Sequence, residues 1–402
     1  MMKLNRDFKL LLTGQSLANI GDVLYIVSII YLIFELTGSA AAAAFVPFTI
    51  TSAMFLSNTL TPLLMERFNL KWLLVGSQIG KTALLVGLAF FMPQLSHANY
   101  MGLFLVISLV ALLDGCANPV TRSLIPVYVK NELLLKANGI TETVTQLIQT
   151  AMWFVGSSLL VWLTANELIW ITAGLFFLSS LLLSGLDRAD FTPSSKQSKW
   201  RQISSGWKNV SASPVLKRIA LMDVLETIAG TVWIAAILYV FVSEALMLEE
   251  MWWGFINGSF FLGLIAGSLF CLWFSDWIRQ NLSLFIVGGA VSSSLATFLF
   301  GLNAVPVLAL LLSVLVGIFS QIKNIPQQTI VQTSVPKDRL PTVFTTLGAI
   351  GTGTFGVSSL LMGILADAIG IRSVFILSGL LLALVSLIAY CSRSHFRKTI
   401  DQ

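Results

Sequence analysis

The run LLLTGQSLANIGDVLYIVSIIYLIFEL, Leu10 to Leu36, carries one charge, Asp22, before Glu35. It is longer than the ~20 apolar residues with which an α-helix crosses a bilayer. Lys3, Arg6 and Lys9 precede it and GSAAAAAF follows it, an order that imitates a secretory signal and its cleavage site. The run is too long for such a segment and further apolar runs follow, so it reads as a first membrane span. A carboxylate at its centre then needs a reason. A charge there costs at least ~2.5–3.5 kcal/mol, so it is either paired or faces water.

The rest of the chain agrees with that reading. Of 402 residues, 56% are hydrophobic and 11% charged, against roughly 25% charged in soluble domains. The mean hydropathy is +0.86. Apolar runs give twelve spans, at about 8–36, 41–65, 72–92, 100–120, 138–163, 168–186, 216–243, 251–274, 283–301, 304–322, 342–364 and 373–391. The fold class expected is therefore an all-α polytopic membrane protein. The long polar segment DRADFTPSSKQSKWRQISSGWKNVSASPVLKR separates two sets of six. The domain expectation is a six-helix lobe at 1–186, a linker at 187–215 and a second lobe at 216–402.

The net charge of +5 lies in short loops, which is a topogenic pattern and not a nucleic-acid surface. With the N-terminus inside, the inner segments hold 22 of the 24 Lys and Arg; Arg372 alone falls outside and Lys81 lies within a span. Both termini and the linker are thus expected in the cytoplasm. Cys116, Cys271 and Cys391 are far apart and show no disulfide or metal spacing. His97 and His395 fall in a loop and in the tail. There is no P-loop, metal-ligand cluster or nucleophile elbow, and HFRKTID has no acyltransferase spacing. Neither an enzyme nor a bound cofactor or metal is expected, and the protein is expected to act as a monomer.

The two sets of six repeat each other at an offset of about 207 residues. NPVTRSLIPVYVKNEL after span four aligns with IPQQTIVQTSVPKDRL after span ten, matching Pro119 to Pro326 and Lys130 to Lys337. The match lies in polar segments, where chance likeness between apolar helices does not reach.

Helical spacing then groups the polar residues of the spans. Gln15, Asn19 and Asp22 recur at i, i+4 and i+7 in span one, with Asp22 about 20 Å deep at ~1.5 Å per residue. Asp114, Asn118 and Arg122 repeat at i, i+4 and i+8 in span four, and Asp223 and Glu226 share one face of span seven. Lys81 sits near the middle of span three. It either forms a structural ion pair with Asp22 or Asp114, or tunes one of them for proton exchange. Two acids against one base leave one carboxylate uncompensated. Asp223 and Glu226 have no basic partner in their own span, which makes them a second candidate for binding protons or substrate. Glu142, Gln146 and Gln149 on span five suit interhelical hydrogen bonds or a gate. Tyr25 and Trp233, at matching places in the two halves, suit packing or contact with an apolar substrate.

Twelve spans in two sixes resemble the major facilitator superfamily. TPLLMERFNLKWLL resembles that family's Gly-x-Leu-Ala-Asp-Arg-x-Gly-Arg-Lys signature, with Glu66, Arg67 and Lys71 at the charged positions and Pro62 and Asn69 in place of the glycines. LWFSDWIRQN keeps Asp276 and Arg279, and GILADAIGIRSVF is similar again. The resemblance implies a cytoplasmic gate at Glu66, Arg67, Lys71, Asp276 and Arg279, and a central cavity lined by spans one, four, seven and ten. Three of those four carry the stripes found by spacing. Gln15, Asn19, Tyr25, Asn118 and Trp233 would line that cavity.

Within the family, NRDFKLLLTGQSLANIGDVLYIVSIIYLIFELTGSA is similar to the opening of the twelve-helix drug–proton antiporters that include macrolide exporters. NPVTRSLIPVYVKNELLLKANGITET is similar to the same group and to lysophospholipid transporters. Span five keeps only Gly156 of the antiporter motif. The expected function is proton-coupled export of an amphiphilic or hydrophobic small molecule across the cell membrane by alternating access. The alternative is a lipid or lysophospholipid flippase of the same fold. Protons, membrane lipid and the substrate are the expected partners.

Overall fold

In a computed structural model, residues 5–38, 40–65, 67–97, 99–188, 199–233, 235–249 and 251–398 are described, and all regular structure among them is helical. The first six helices are α1 (Arg6–Thr37), α2 (Ala40–Met65), α3 (Leu70–Phe91), α4 (Met101–Tyr128), α5 (Leu134–Leu159) and α6 (Ala165–Ser184). A short linker helix, α7 (Lys199–Ala212), precedes α8 (Pro214–Gly230) and α9 (Ala235–Val240). The remainder are α10 (Met251–Trp273), α11 (Ser275–Gln280), α12 (Leu282–Leu302), α13 (Pro306–Thr333), α14 (Leu340–Ile369) and α15 (Ile371–Lys398). Among the described residues nine helices are long and apolar enough to cross a membrane, and α8 with α9 makes a tenth, bent by 50°. α2 and α5 stand at the two remaining expected spans. This is a multi-pass membrane protein.

Local chemistry sets the helix ends. α1 stops at Gly38, whose φ of 63° is the left-handed cap that glycine adopts without strain, its N–H donating to Phe34 O. Asn69, which stands where the signature has glycine, caps α3 by accepting from the Lys71 N–H at 2.9 Å. Thr164 and Glu167 close a capping box on α6. α8 ends at Gly230, one turn beyond Glu226, where a 3₁₀ turn and then α9 and a π-helical turn (Phe241–Ala245) continue the span. The seventh span is therefore broken where the apolar run reads as continuous.

Contacts divide the chain into two compact units. One holds residues 1–130, 147–207 and 337–352; the other holds 131–146, 208–336 and 353–402. In the first, α1 packs on α6, α3 on both α6 and α4, and α2 on α4. In the second, α8 packs on α15, α12 on both α15 and α13, and α10 on α13. In span order these are the same four pairings. The repeat read in the loops thus extends to packing, and α4 and α13, both of 28 residues, carry the matched Pro119 and Pro326.

Each unit has its own apolar core. That of the first includes Tyr25, Ile29, Leu85, Ile107, Ile169 and Phe176. That of the second gathers Phe241, Ile256, Phe300, Val316 and Phe375. Both cores hold bulky groups beside the helices that carry the charged residues, so those charges sit on scaffolds with little freedom to shift.

Candidate functional site

In the first unit, α1, α3 and α4 bring Asp22, Lys81 and Asp114 to one point. The Lys81 ammonium donates to Asp22 Oδ1 at 2.7 Å and to Asp114 Oδ1 at 2.6 Å. It also lies 4.0 Å from the centre of the Phe176 ring of α6. Three N–H donors thus meet two carboxylates and a ring face. Lys81 is wholly buried, while the Asp22 and Asp114 side chains keep 26% and 22% of their exposure. The lysine is the fixed centre and the acids are its reachable partners. With both acids ionised the cluster has an odd negative charge.

Small residues allow this convergence. Gly21, beside Asp22, faces Phe176 so closely that a Cβ there would come within 2.7 Å of the ring. The rest of the α1 stripe is also engaged or reachable. Gln15 donates from Nε2 to Thr121 Oγ1 of α4, and Asn19 is half-buried. On α4, Asn118 and Arg122 are exposed. Tyr25 lies in the core of the unit.

In the second unit, α8 and α13 bring together Glu226 and Lys323, which are ion-paired through Glu226 Oε2. Lys323 Nζ also donates to Asn324 Oδ1 at 3.0 Å. One turn along α13, Gln327 Nε2 donates to Asp223 Oδ1 at 2.6 Å. The base missing from span seven is therefore supplied by span ten. The polarity of KNIPQQ ends the apolar run at 322, which placed Lys323 in an inner loop. The helix in fact continues to Thr333 and buries that lysine. The repeat contained the missing signal, because α4 likewise runs past its apolar stretch to Tyr128. Trp233 stacks on Phe260, with centroids 5.5 Å apart, and touches Phe300 and Phe375 in the core.

Glu66 lies outside the described residues. Lys71 is buried and its Nζ donates at 2.5 Å to Leu186 O, just past the end of α6. Arg67 and Asp276 are exposed and Arg279 half-buried. Lys81 and Lys323 form ion pairs inside the spans. On α5, Glu142 Oε1 accepts from Gln146 at 2.6 Å and from Gln321 of α13 at 3.1 Å. No group of acids, histidines and cysteines among the described residues has the arrangement of a metal site.

Membrane-crossing helices in a twofold repeat, each unit holding acids and a lysine inside its spans, define a class of carrier proteins. A family model described as Major Facilitator Superfamily matches residues 11–352, and the chain belongs to that family of transporters. A Bacillus subtilis relative, the uncharacterized MFS-type transporter YfmI, is 28% identical over 99% of both chains. The enterobactin exporter EntS of Escherichia coli K12 is 26% identical, over 69% of this chain and 66% of its own. The crystal structure of the human organic anion transporter MFSD10 has a TM-score of 0.79 at 11% identity, covering 97% of this chain and all of that one. That likeness is one of fold.

Proposed function

We propose that this transporter is a proton-coupled exporter of amphiphilic or hydrophobic small molecules, working by alternating access in the cell membrane with both termini in the cytoplasm. The observation that carries this reading is the Asp22–Lys81–Asp114 cluster. One buried ammonium between two partly exposed carboxylates is electrically complete only when one acid takes up a proton or a cation. A site that gains and loses a single proton is the element that coupling to a proton gradient requires. The likeness to an enterobactin exporter supports the outward direction. The Lys and Arg asymmetry of the loops supports the orientation.

The test is uptake of a fluorescent amphiphile into everted vesicles under an imposed pH gradient. Asp22→Asn is expected to lose gradient-driven uptake while keeping its protein level and its energy-independent exchange. Full gradient-driven transport in Asp22→Asn, Asp114→Asn and Glu226→Gln alike would remove the proton assignment. Flipping of a fluorescent lysophospholipid in proteoliposomes, without movement of the amphiphile, would put the flippase reading ahead.

A further inference from the structure

The two charged clusters are built differently, and the difference concerns substrate. Lys81 is shared by two acids and a ring, so none of its donors is left for a newcomer. Lys323 is held by one carboxylate and the neutral side-chain carbonyl of Asn324. Its position is fixed from behind: α12 packs so tightly that a Cβ on Gly289 would come within 2.9 Å of Lys323 N and 3.0 Å of its Cβ. The Lys323 side chain is 2% exposed and that of Glu226 is 24% exposed. A molecule arriving from the open side therefore meets the carboxylate first and the ammonium second.

Resting on the transporter reading, we propose that the Glu226–Lys323 pair is the seat for an acidic group of the transported molecule, a carboxylic acid or acidic phenol. The acid enters as HA, its proton goes to a Glu226 carboxylate oxygen, and its anion takes the place of Glu226 opposite Lys323. One O–H bond breaks on the substrate and one forms on Glu226, so the charge of the buried site does not change. That balance is what makes the exchange feasible. Protonating Glu226 alone would strand a buried ammonium. An organic cation has the opposite problem, because it would have to displace a lysine that packing holds in place.

The neighbouring elements do not supply a competing charge. α10 and α12, which pack on α13, contain no Asp, Glu, Lys, Arg or His. α15, which packs on α8, has none between Arg372 and Arg393. Beyond them, Arg218 of α8 contacts His395 two turns from Glu226. Asp223 accepts from Gln327, and Glu142 of α5 accepts from Gln321.

Three probes on one skeleton test this: 1-naphthoate, 1-naphthylmethylammonium and 1-naphthylmethanol, bound to the purified full chain by equilibrium dialysis. Naphthoate is expected to bind best, and more tightly on the acid side of neutrality. Glu226→Gln should hold naphthoate at least as tightly and remove the pH dependence, because glutamine leaves Lys323 without a counter-charge. Lys323→Met should weaken naphthoate about tenfold without affecting naphthylmethanol. If Lys323→Met does not fold, Glu226→Gln/Lys323→Met, which removes both charges together, is expected to show the same loss. Equal or tighter binding of the cation, no binding of naphthoate, or weaker naphthoate binding in Glu226→Gln would each overturn the assignment. Asp22→Asn separates the two readings. If it, Asp114→Asn and Glu226→Gln all keep gradient-driven transport while the naphthoate pattern holds, the proton assignment fails and the acid seat stands.

Discussion

The ring of Phe176 lies 4.0 Å from the Lys81 ammonium, and a Cβ on Gly21 would come within 2.7 Å of the same ring. One aromatic thus couples the close approach of α1 and α6 to the charge at the centre of the first unit. Gly21→Ala forces the ring to move and should cost about 1–3 kcal/mol. Phe176→Leu removes a desolvated cation–π contact worth up to about 2 kcal/mol. The double variant should be more stable than the sum of the two predicts, by about 1 kcal/mol, since leucine makes room for the alanine. Detergent-solubilised unfolding of the four proteins measures the cycle. Strict additivity would show that the ring does not link the two sites.

Much of that cluster was legible from sequence. The spacing of Gln15, Asn19 and Asp22 defined a face, and the scarcity of charge inside spans singled out Asp114 and Lys81 as partners. Phe176 was not legible, because an aromatic in an apolar run looks the same whether it meets lipid or an ammonium. Lys323 was missed for a different reason. An apolar run stops where polarity begins, but a helix stops where its hydrogen bonds and caps stop, and α13 carries its polar end inside the protein. The break after Gly230 was hidden likewise, since hydropathy does not register a bend.

The sharing of Lys81 predicts an order of stabilities that a simple pair would not give. Asp22→Asn leaves Lys81 bound to Asp114, and Asp114→Asn leaves it bound to Asp22, so each should cost only about 1–2 kcal/mol. Lys81→Met leaves two partly exposed acids side by side without their base, and Asp22→Asn/Asp114→Asn leaves the buried ammonium without either acid. Each should cost about 3–5 kcal/mol. Unfolding midpoints of the four variants in detergent give the order. A Lys81→Met protein as stable as Asp22→Asn would mean that the ammonium holds little of the fold.

Arg372, the one basic residue expected on the outer side, has a structural duty. Its guanidinium donates to Asn303 O at 2.6 Å, Gly301 O at 3.2 Å and Ala245 O at 2.7 Å, at the ends of α12 and of the π-helical turn. Those carbonyls have no partner within their own helices, and a cation there also meets the negative end of the helix dipole. Arg372→Lys keeps the charge but not the fork, and should lose about 1–2 kcal/mol. Arg372→Ala should lose about 3 kcal/mol or more, as three charge-assisted hydrogen bonds go at once. Thermal unfolding in detergent compares them. Equal stability of the lysine and arginine forms would mean that charge alone suffices at this position.

Asn138, inside the KANG stretch, is 3% exposed and joins α5 to α13. Its Nδ2 donates to Thr329 Oγ1 at 3.0 Å and to Gln332 Oε1 at 2.7 Å, while its Oδ1 accepts from Gln328 and Gln332, each at 3.3 Å. Four polar groups of α13 therefore bond to one amide, and a half-satisfied network is worse than an apolar contact. Asn138→Ala should cost about 2–3 kcal/mol, because it strips Gln332 of both of its Asn138 bonds at once. Asn138→Leu fills the volume but removes the same hydrogen bonds, so it should recover less than half of that loss. Asn138→Leu/Gln332→Leu removes both sides of the strongest contact and should be more stable than Asn138→Ala. Unfolding in detergent ranks the three. If Asn138→Leu alone matched the wild type, this amide would contribute to packing and its hydrogen bonds would count for nothing.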